Sequence, residues 1–264
     1  MIFLKGLRLG FEQGPYPFNS PALAGLEALP FSASVTLLVG ENGSGKSTLL
    51  EALARKLRLP ALGSAELAQD PSLAGVEPLS SQMTTVFAGK RPRTGFFLRA
   101  EDFFGYTKRI AALQAEMQAE LKRVETEYRG KSRFTQDQAR MAFAGSLHSL
   151  QADHGPDPDA RSHGESFIHL FQGRLREGGL YLLDEPEAPL SPARQLALIS
   201  LIKGYEPASQ FILATHSPIL MAYPGAAIWS FDEAPAALTP YDQLESVQLT
   251  RDFLACPQRY LRQL

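Results

Sequence analysis

One cysteine, Cys256, stands in 264 residues. That excludes an internal disulfide and fits a reducing compartment. A surplus of either charge is also missing. The 26 Lys and Arg face 28 Asp and Glu, leaving a formal net charge of −2 and a pI near 6.2. A chain so balanced is not, taken whole, a strong polyanion binder, although a local basic face stays open. No apolar run approaches the roughly 20 residues of a membrane span. The start, Met1 to Lys5, lacks a basic segment followed by an apolar run and a cleavage site. The expectation is a soluble cytoplasmic protein with no membrane insertion. No internal repeat or low-complexity tract is present. What remains is ordinary material for a core: 44% hydrophobic residues, in a length that suits one large α/β domain or a core with an inserted lobe.

Against that background one stretch stands out: Gly40-Glu41-Asn42-Gly43-Ser44-Gly45-Lys46-Ser47-Thr48. It has the form of a phosphate-binding loop. Val35 to Val39 before it reads as a buried strand, and Leu49 to Ala54 after it as a helix. The three glycines let the backbone wrap closely around phosphates. The helix N-terminus then presents free N–H groups and a partial positive charge. Lys46 would reach the outer phosphates of a nucleotide, and Ser47 would ligate Mg²⁺.

Three further motifs follow. Leu180 to Leu183 reads as a buried strand whose C-terminal end delivers Asp184 and Glu185, and ligands of open α/β sheets bind at such ends. Asp184 would hold Mg²⁺, and Glu185 would polarise an attacking water as general base. His216, in Ala214-Thr215-His216-Ser217-Pro218, also follows an apolar strand and could bond a terminal phosphate and that water. Ser162-His163-Gly164-Glu165-Ser166 opens an apolar helix. It is either a second anion contact or a capping box, with Ser162 as cap and Glu165 three residues on.

The rest organises around these motifs. Ile2 to Phe11 reads as a strand, Leu59 to Ser81 as a meandering connection broken by prolines and glycines, and Met83 to Ala88 and Gly95 to Arg99 as short strands. Phe103 to about Arg129 reads as helix, with Ile110, Leu113, Met117, Leu121, Val124 and Tyr128 at helical spacing. That stripe is a core face or, less simply, a partner-binding coil. A second helix is expected from Thr135 to Gln151. Later come strands at Gly178 to Leu183, Gln210 to Ala214 and Ala226 to Phe231, a helix from Pro192 to Tyr205, and a helical tail from Asp242 interrupted at Pro257. Alternation at both ends with helices between predicts an α/β fold, a P-loop core of mixed or parallel sheet with an inserted helical lobe. The expected division is 1–99 with 176–264 as core and 100–175 as lobe.

In order and wording the motifs resemble an ATP-binding-cassette (ABC) ATPase: phosphate loop, signature, acidic strand end, switch histidine. Ser162-His163-Gly164-Glu165 resembles that family's signature in degenerate form, and His216 its switch histidine. Glu187 to Ser191 sits at the D-loop, with Ser191 in place of the usual aspartate. Gly95 to Asp102 occupies the Q-loop region, where no glutamine stands and Glu101 is the nearest substitute as a metal contact. A finer likeness is to small stand-alone "AAA family" ATPases of bacteria, close to the repair and chromosome-organising branch. It rests on Phe96 to Glu101, Ser162 to Phe167, Leu183 to Glu187, Ala214 to Leu220 and Gln248 to Leu254. The resemblance implies Mg-dependent ATP hydrolysis and an ATP-dependent homodimer, in which Ser162 and Gly164 of one copy cap ATP on the phosphate loop of the other. It also implies an adenine-stacking aromatic before the loop. Tyr16 or Phe18 fits that role, and each could equally be loop packing.

What the ATPase would drive is left with three readings. One is a DNA-associated or defence process, for which Val86 to Arg133 offers eleven Lys or Arg against six Asp or Glu. The second is an ATP-gated module for a separate effector protein. The third is a transporter subunit.

Overall fold

A computed structural model describes residues 1–10, 14–62, 71–154 and 163–262. The chain divides into two compact units, Met1–Ala100 with Leu175–Leu264, and Glu101–Arg174.

The first unit holds two sheets. Five apolar strands run parallel in the larger one: β3 (Val35–Val39), β5 (Thr94–Arg99), β6 (Gly179–Asp184), β7 (Gln210–Ala214) and β8 (Ala227–Ser230), with β9 (Ala237–Leu238) antiparallel at one edge. The order is β5-β6-β7-β3-β8-β9. Every residue of β3, β6 and β7 is buried, as expected of parallel strands covered on both faces. The central strands β6, β7 and β3 therefore end side by side, and three of the four sequence motifs follow their C-terminal ends.

The smaller sheet is antiparallel, ordered β2-β1-β4, from β1 (Leu4–Arg8), β2 (Ala28–Pro30) and β4 (Thr84–Phe87). Gln210, the first residue of β7, links the two sheets. Its Oε1 accepts from the N–H groups of Phe3 and Leu4, at 2.9 and 2.8 Å, and its Nε2 donates to the Leu4 carbonyl at 2.8 Å.

Helix α1 (Lys46–Leu57) leads out of the phosphate loop and buries Leu49, Leu50, Ala52 and Leu53 in the core. Past residue 70 the connection after it is more ordered than its prolines suggest. Pro71–Val76 forms a 3₁₀ turn and Glu77–Gln82 a helix, α2, with Pro78 in its first turn. Proline is tolerated there because its missing N–H has no intrahelical partner anyway. Beyond β7 come α7 (Pro218–Met221) and α8 (Glu245–Ala255). A short α9 (Pro257–Leu261) follows the break at Cys256, next to the expected interruption. Helix α6 (Pro192–Tyr205) precedes β7.

The second unit is helical: α3 (Ala100–Glu127), α4 (Arg133–His154) and α5 (His163–Arg174). Helix α3 begins directly at the end of β5, earlier than Phe103, so no loop separates strand from helix where a Q-loop was expected. The stripe on α3 is core-facing at Ile110 and Val124, which are buried. It departs from expectation at one step: Leu113 is exposed and Gln114 is buried, donating to the Leu150 carbonyl on α4 at 3.5 Å. Positions 113 and 114 flank the 110–117 line equally on a helix of period 3.6, so the partner on α4, not the period, decides which one goes inside. Phe103, Phe167 and Phe171 stack into the core of this unit, the first pair edge to face at 5.1 Å.

No described helix is long and apolar enough to cross a membrane.

Candidate functional site

The phosphate loop has the backbone its glycines predict. Gly40, Gly43 and Gly45 all have positive φ, 144°, 81° and 103°, a region that side chains rarely tolerate. At Gly45 the demand is doubled, because a Cβ would meet the Ser20 hydroxyl at 2.5 Å. Ser20 itself is buried and donates to the Ser44 carbonyl. The segment before β2 thus braces the loop from below. From the end of β8, Asp232 Oδ1 accepts the Glu41 N–H at 2.8 Å. Over the loop opens a cleft of ≈ 590 Å³, lined by Gly40 to Ser44, His216 and Asp232 among others.

Lys46 is buried and folded back onto its own loop. Its Nζ donates to the carbonyls of Gly40 and Glu41, both at 2.7 Å, and to Ser44 Oγ at 3.1 Å. Burial pulls its pKa down, while Glu185, Asp184 and Asp232 pull it back up. Thr48, two residues on, bonds the hydroxyl of Tyr16, so the half-exposed Tyr16 ring stands near the start of α1.

Ser47 Oγ donates to Asp184 Oδ1 at 3.0 Å. Asp184 is buried, and its pKa is raised to about 7, chiefly by desolvation and then by Glu185 and Glu51, against the Ser47 hydrogen bond. A hydroxyl and a buried carboxylate at hydrogen-bond distance make a hard-oxygen pair that suits Mg²⁺. Among the described residues no group of three or more His, Cys, Asp or Glu could hold a metal. A Mg²⁺ on Ser47 and Asp184 would draw its remaining ligands from phosphate and water, its common habit.

The raised pKa has a consequence for stability. Because the folded state holds the proton to higher pH than the unfolded chain, stability from this group is lost as pH rises from 3.8 to about 7. Asp184→Asn should therefore unfold like the wild type at pH 4 and become more stable through pH 7. The gain is at most about 4 kcal/mol, from about 1.4 kcal/mol per pKa unit. Thermal melts of both proteins across that range check it, and an unchanged difference would show that Asp184 is not a strained acid.

Glu185 follows with a left-handed backbone, φ 48°, rare for a residue with a side chain and frequent where function stores strain. Its N–H bonds the Ala214 carbonyl at 2.9 Å, tying the end of β6 to the end of β7. Its Oε1 stands 3.4 Å from His216 Nε2. That is ion-pair distance without hydrogen-bond alignment, and Nε2 makes no hydrogen bond among the described residues.

The structure thus brings together Gly40 to Thr48, Asp184, Glu185 and His216. Gly164 and Glu165 lie in the first turn of α5, in the second unit, Gly164 buried and Glu165 exposed. Ser162 and the side chain of Glu101 lie outside the described residues. The sequence reading passed over two residues here: Glu187, which bonds the backbone around His216, and Asp232. Glu187 stood in the D-loop stretch with no role given. Asp232, just past the β8 strand, had no signal.

Two family models match segments of the chain. One, described as "AAA domain, putative AbiEii toxin, Type IV TA system", covers residues 166–222, and another, described as "AAA domain", covers residues 19–55. The chain is similar to the energy-coupling factor transporter ATP-binding protein EcfA2 of Streptococcus sanguinis, 42% identical over 66 residues, which is 25% of this chain and 23% of that protein. It is also similar to the EcfA2 protein of Methanospirillum hungatei, 26% identical over 214 residues, 80% of this chain and 49% of the relative. The chain thus spans at most about half the length of these curated relatives. Among solved structures, the Smc head domain of Pyrococcus furiosus bound to the C-terminal domain of ScpA aligns over 96% of this chain and all of that one, with TM-score 0.47 and 13% identity.

Proposed function

We propose that this chain, an ABC-type ATPase by its phosphate loop, its motif order and its AAA-domain segments, binds Mg-ATP over the loop and hydrolyses it. The observation that carries the reading is the convergence of three strand ends. Strand β3 supplies the loop with Lys46 and Ser47, β6 supplies Asp184 and Glu185, and β7 leads to His216.

The roles follow from the chemistry of each group. Loop N–H groups and Lys46 would bind and neutralise the phosphates. Ser47 and Asp184 would hold Mg²⁺, which supplies charge for the leaving phosphate. Glu185 would accept the proton of the attacking water, and His216, through its Nε2, would bond the terminal phosphate. Phosphoryl transfer asks mostly for such positioning and charge stabilisation. Phosphate release from ATP by the purified chain, with Mg²⁺ and with a chelator, tests the reading. Absence of Mg-dependent release from protein that binds ATP would sink it.

The ATP-dependent homodimer, with Ser162, Gly164 and Glu165 acting across the interface, belongs to this proposal. So does a cytoplasmic setting. The transporter-subunit reading draws on the two EcfA2 relatives, while the motif wording favours the repair and chromosome-organising branch. An effector protein is a further candidate partner.

A DNA-associated role has one specific observation in its favour. In the helical unit the basic excess is partly neutralised: Arg123 pairs with Glu120 and Glu127, and Arg140 with Glu125. In the first unit, by contrast, exposed Lys56, Arg58, Arg91 and Arg93 line a cleft of ≈ 720 Å³ with no acidic residue among its described lining, and Arg91 lies over the Phe87 ring at 5.0 Å. If duplex DNA binds there, Arg91→Ala with Arg93→Ala should weaken it and lower the salt slope by about two. Fluorescence anisotropy across a salt series measures both. Unchanged affinity would place any DNA contact elsewhere.

A further inference from the structure

Glu187 makes a contact that its place in the sequence does not announce. It lies two residues past Glu185, yet its Oε1 accepts three hydrogen bonds from one short loop: Thr215 Oγ1 at 2.7 Å, His216 N–H at 2.6 Å and Ser217 N–H at 3.1 Å. Thr215 and Ser217 are buried. On its other side the loop is tied to the core, where the Thr215 N–H donates to the Leu38 carbonyl at 3.1 Å. A second tie comes from α6: Ser217 Oγ donates to Gln195 Oε1 at 2.5 Å, and Gln195 Nε2 reaches back to the Leu190 carbonyl at 3.2 Å.

The geometry points to Glu187 as the positioning residue for His216. We infer that it fastens the backbone of the histidine loop to the segment carrying Glu185, and so fixes the separation of Glu185 from the imidazole. This deepens the proposed ATPase reading and rests on it for its consequence in turnover.

First, His216 is held through its own N–H, so the bond sets where the side chain starts rather than merely filling space. Second, a carboxylate accepting backbone N–H groups makes charge-assisted bonds, stronger and shorter than neutral ones. Third, Glu185 and His216 leave from neighbouring strands, with Glu185 N–H already bonded to Ala214 O. The second clasp, two residues further along, removes the rotation that a single backbone bond would leave. Glu187 Oε2 is buried with no hydrogen bond among the described residues, so all three bonds to the loop fall on one oxygen.

The test compares wild type, Glu187→Ala and Glu187→Gln in the intact chain. Hydrogen exchange of the segment 214–220 without nucleotide reads the clasp directly. Glu187→Ala should speed exchange at His216 about tenfold or more, since its acceptor is gone, and less at Ser217, whose N–H also donates to Thr215 Oγ1 at 3.0 Å. Glu187→Gln should restore protection, because its amide oxygen can accept the same bonds. In turnover, Glu187→Ala should lower kcat about ten- to hundredfold, the cost typical of a misplaced group, while the Kd for ATP stays within about threefold; the melting temperature should fall, because buried donors lose their acceptor, and Glu187→Gln should recover it. Unchanged exchange in Glu187→Ala overturns the proposal, whatever the ATPase does. Loss of ATP binding along with kcat would overturn it too, by making Glu187 a general structural residue. If exchange responds as described while the wild type never hydrolyses ATP, the clasp stands and the ATPase reading is what fails.

Discussion

Glu185→Gln will lower ATP turnover about a hundredfold or more while ATP binding persists. The loss of one general acid or base costs on the order of 10²- to 10⁴-fold, and no other carboxylate of the site is as well placed. Asp184 is buried and engaged by Ser47, and Glu187 is engaged by three donors. Glu185, by contrast, is 44% exposed at its side chain and stands beside His216 Nε2. Glutamine keeps its size and its ability to accept a hydrogen bond, so the left-handed backbone and the tie to Ala214 are undisturbed. Only the basicity goes. Single-turnover phosphate release alongside equilibrium binding separates the two effects, and light scattering with Mg-ATP reads the expected accumulation of a dimer. A variant that hydrolyses at the wild-type rate would move the base elsewhere. A variant that binds ATP and stays monomeric would leave the chemistry standing and remove the dimer.

Lys46→Ala will act one step earlier, on binding. The ammonium now makes three hydrogen bonds to the loop, and an incoming phosphate would take over that charge. Hydrogen bonds to charged groups contribute about 1.5–3 kcal/mol each, and every 1.4 kcal/mol is about tenfold in Kd. Two such bonds to phosphate oxygens imply a loss of about a hundredfold or more. The same change leaves the Gly40 and Glu41 carbonyls without their donor, so the loop also loses its internal brace. Calorimetric titration with ATP measures the effect, and wild-type affinity would mean that the phosphates are held without Lys46. The pair of variants is informative together, because one should separate binding from turnover and the other should abolish both.

How much of this was legible in the sequence depends on how local each signal is. The phosphate loop could be read because its residues are contiguous and its flanks are apolar runs of the right length. The end of β6 could be read because an apolar run, Leu180 to Leu183, leads to two acids. Glu187 could not, since its partners lie 28 to 30 residues further on and only the pairing of β6 with β7 brings them together. Helix α2 was hidden by Pro71 and Pro78, which read as breakers although both open a turn. Strand β2 was too short, at three residues, to show a period. On α3, Leu113 outbid Gln114 on hydrophobicity, and only the Leu150 carbonyl across the helix pair explains why the polar residue goes inside.

Gln210 gives the first unit a property that neither sheet has alone. Its amide forms a closed ring of three hydrogen bonds with the backbone of Phe3 and Leu4, itself buried. Sliding one sheet past the other by a single residue would strand two donors and an acceptor away from water, at about 1–3 kcal/mol each. The antiparallel sheet and the parallel sheet are therefore locked against shear at this point.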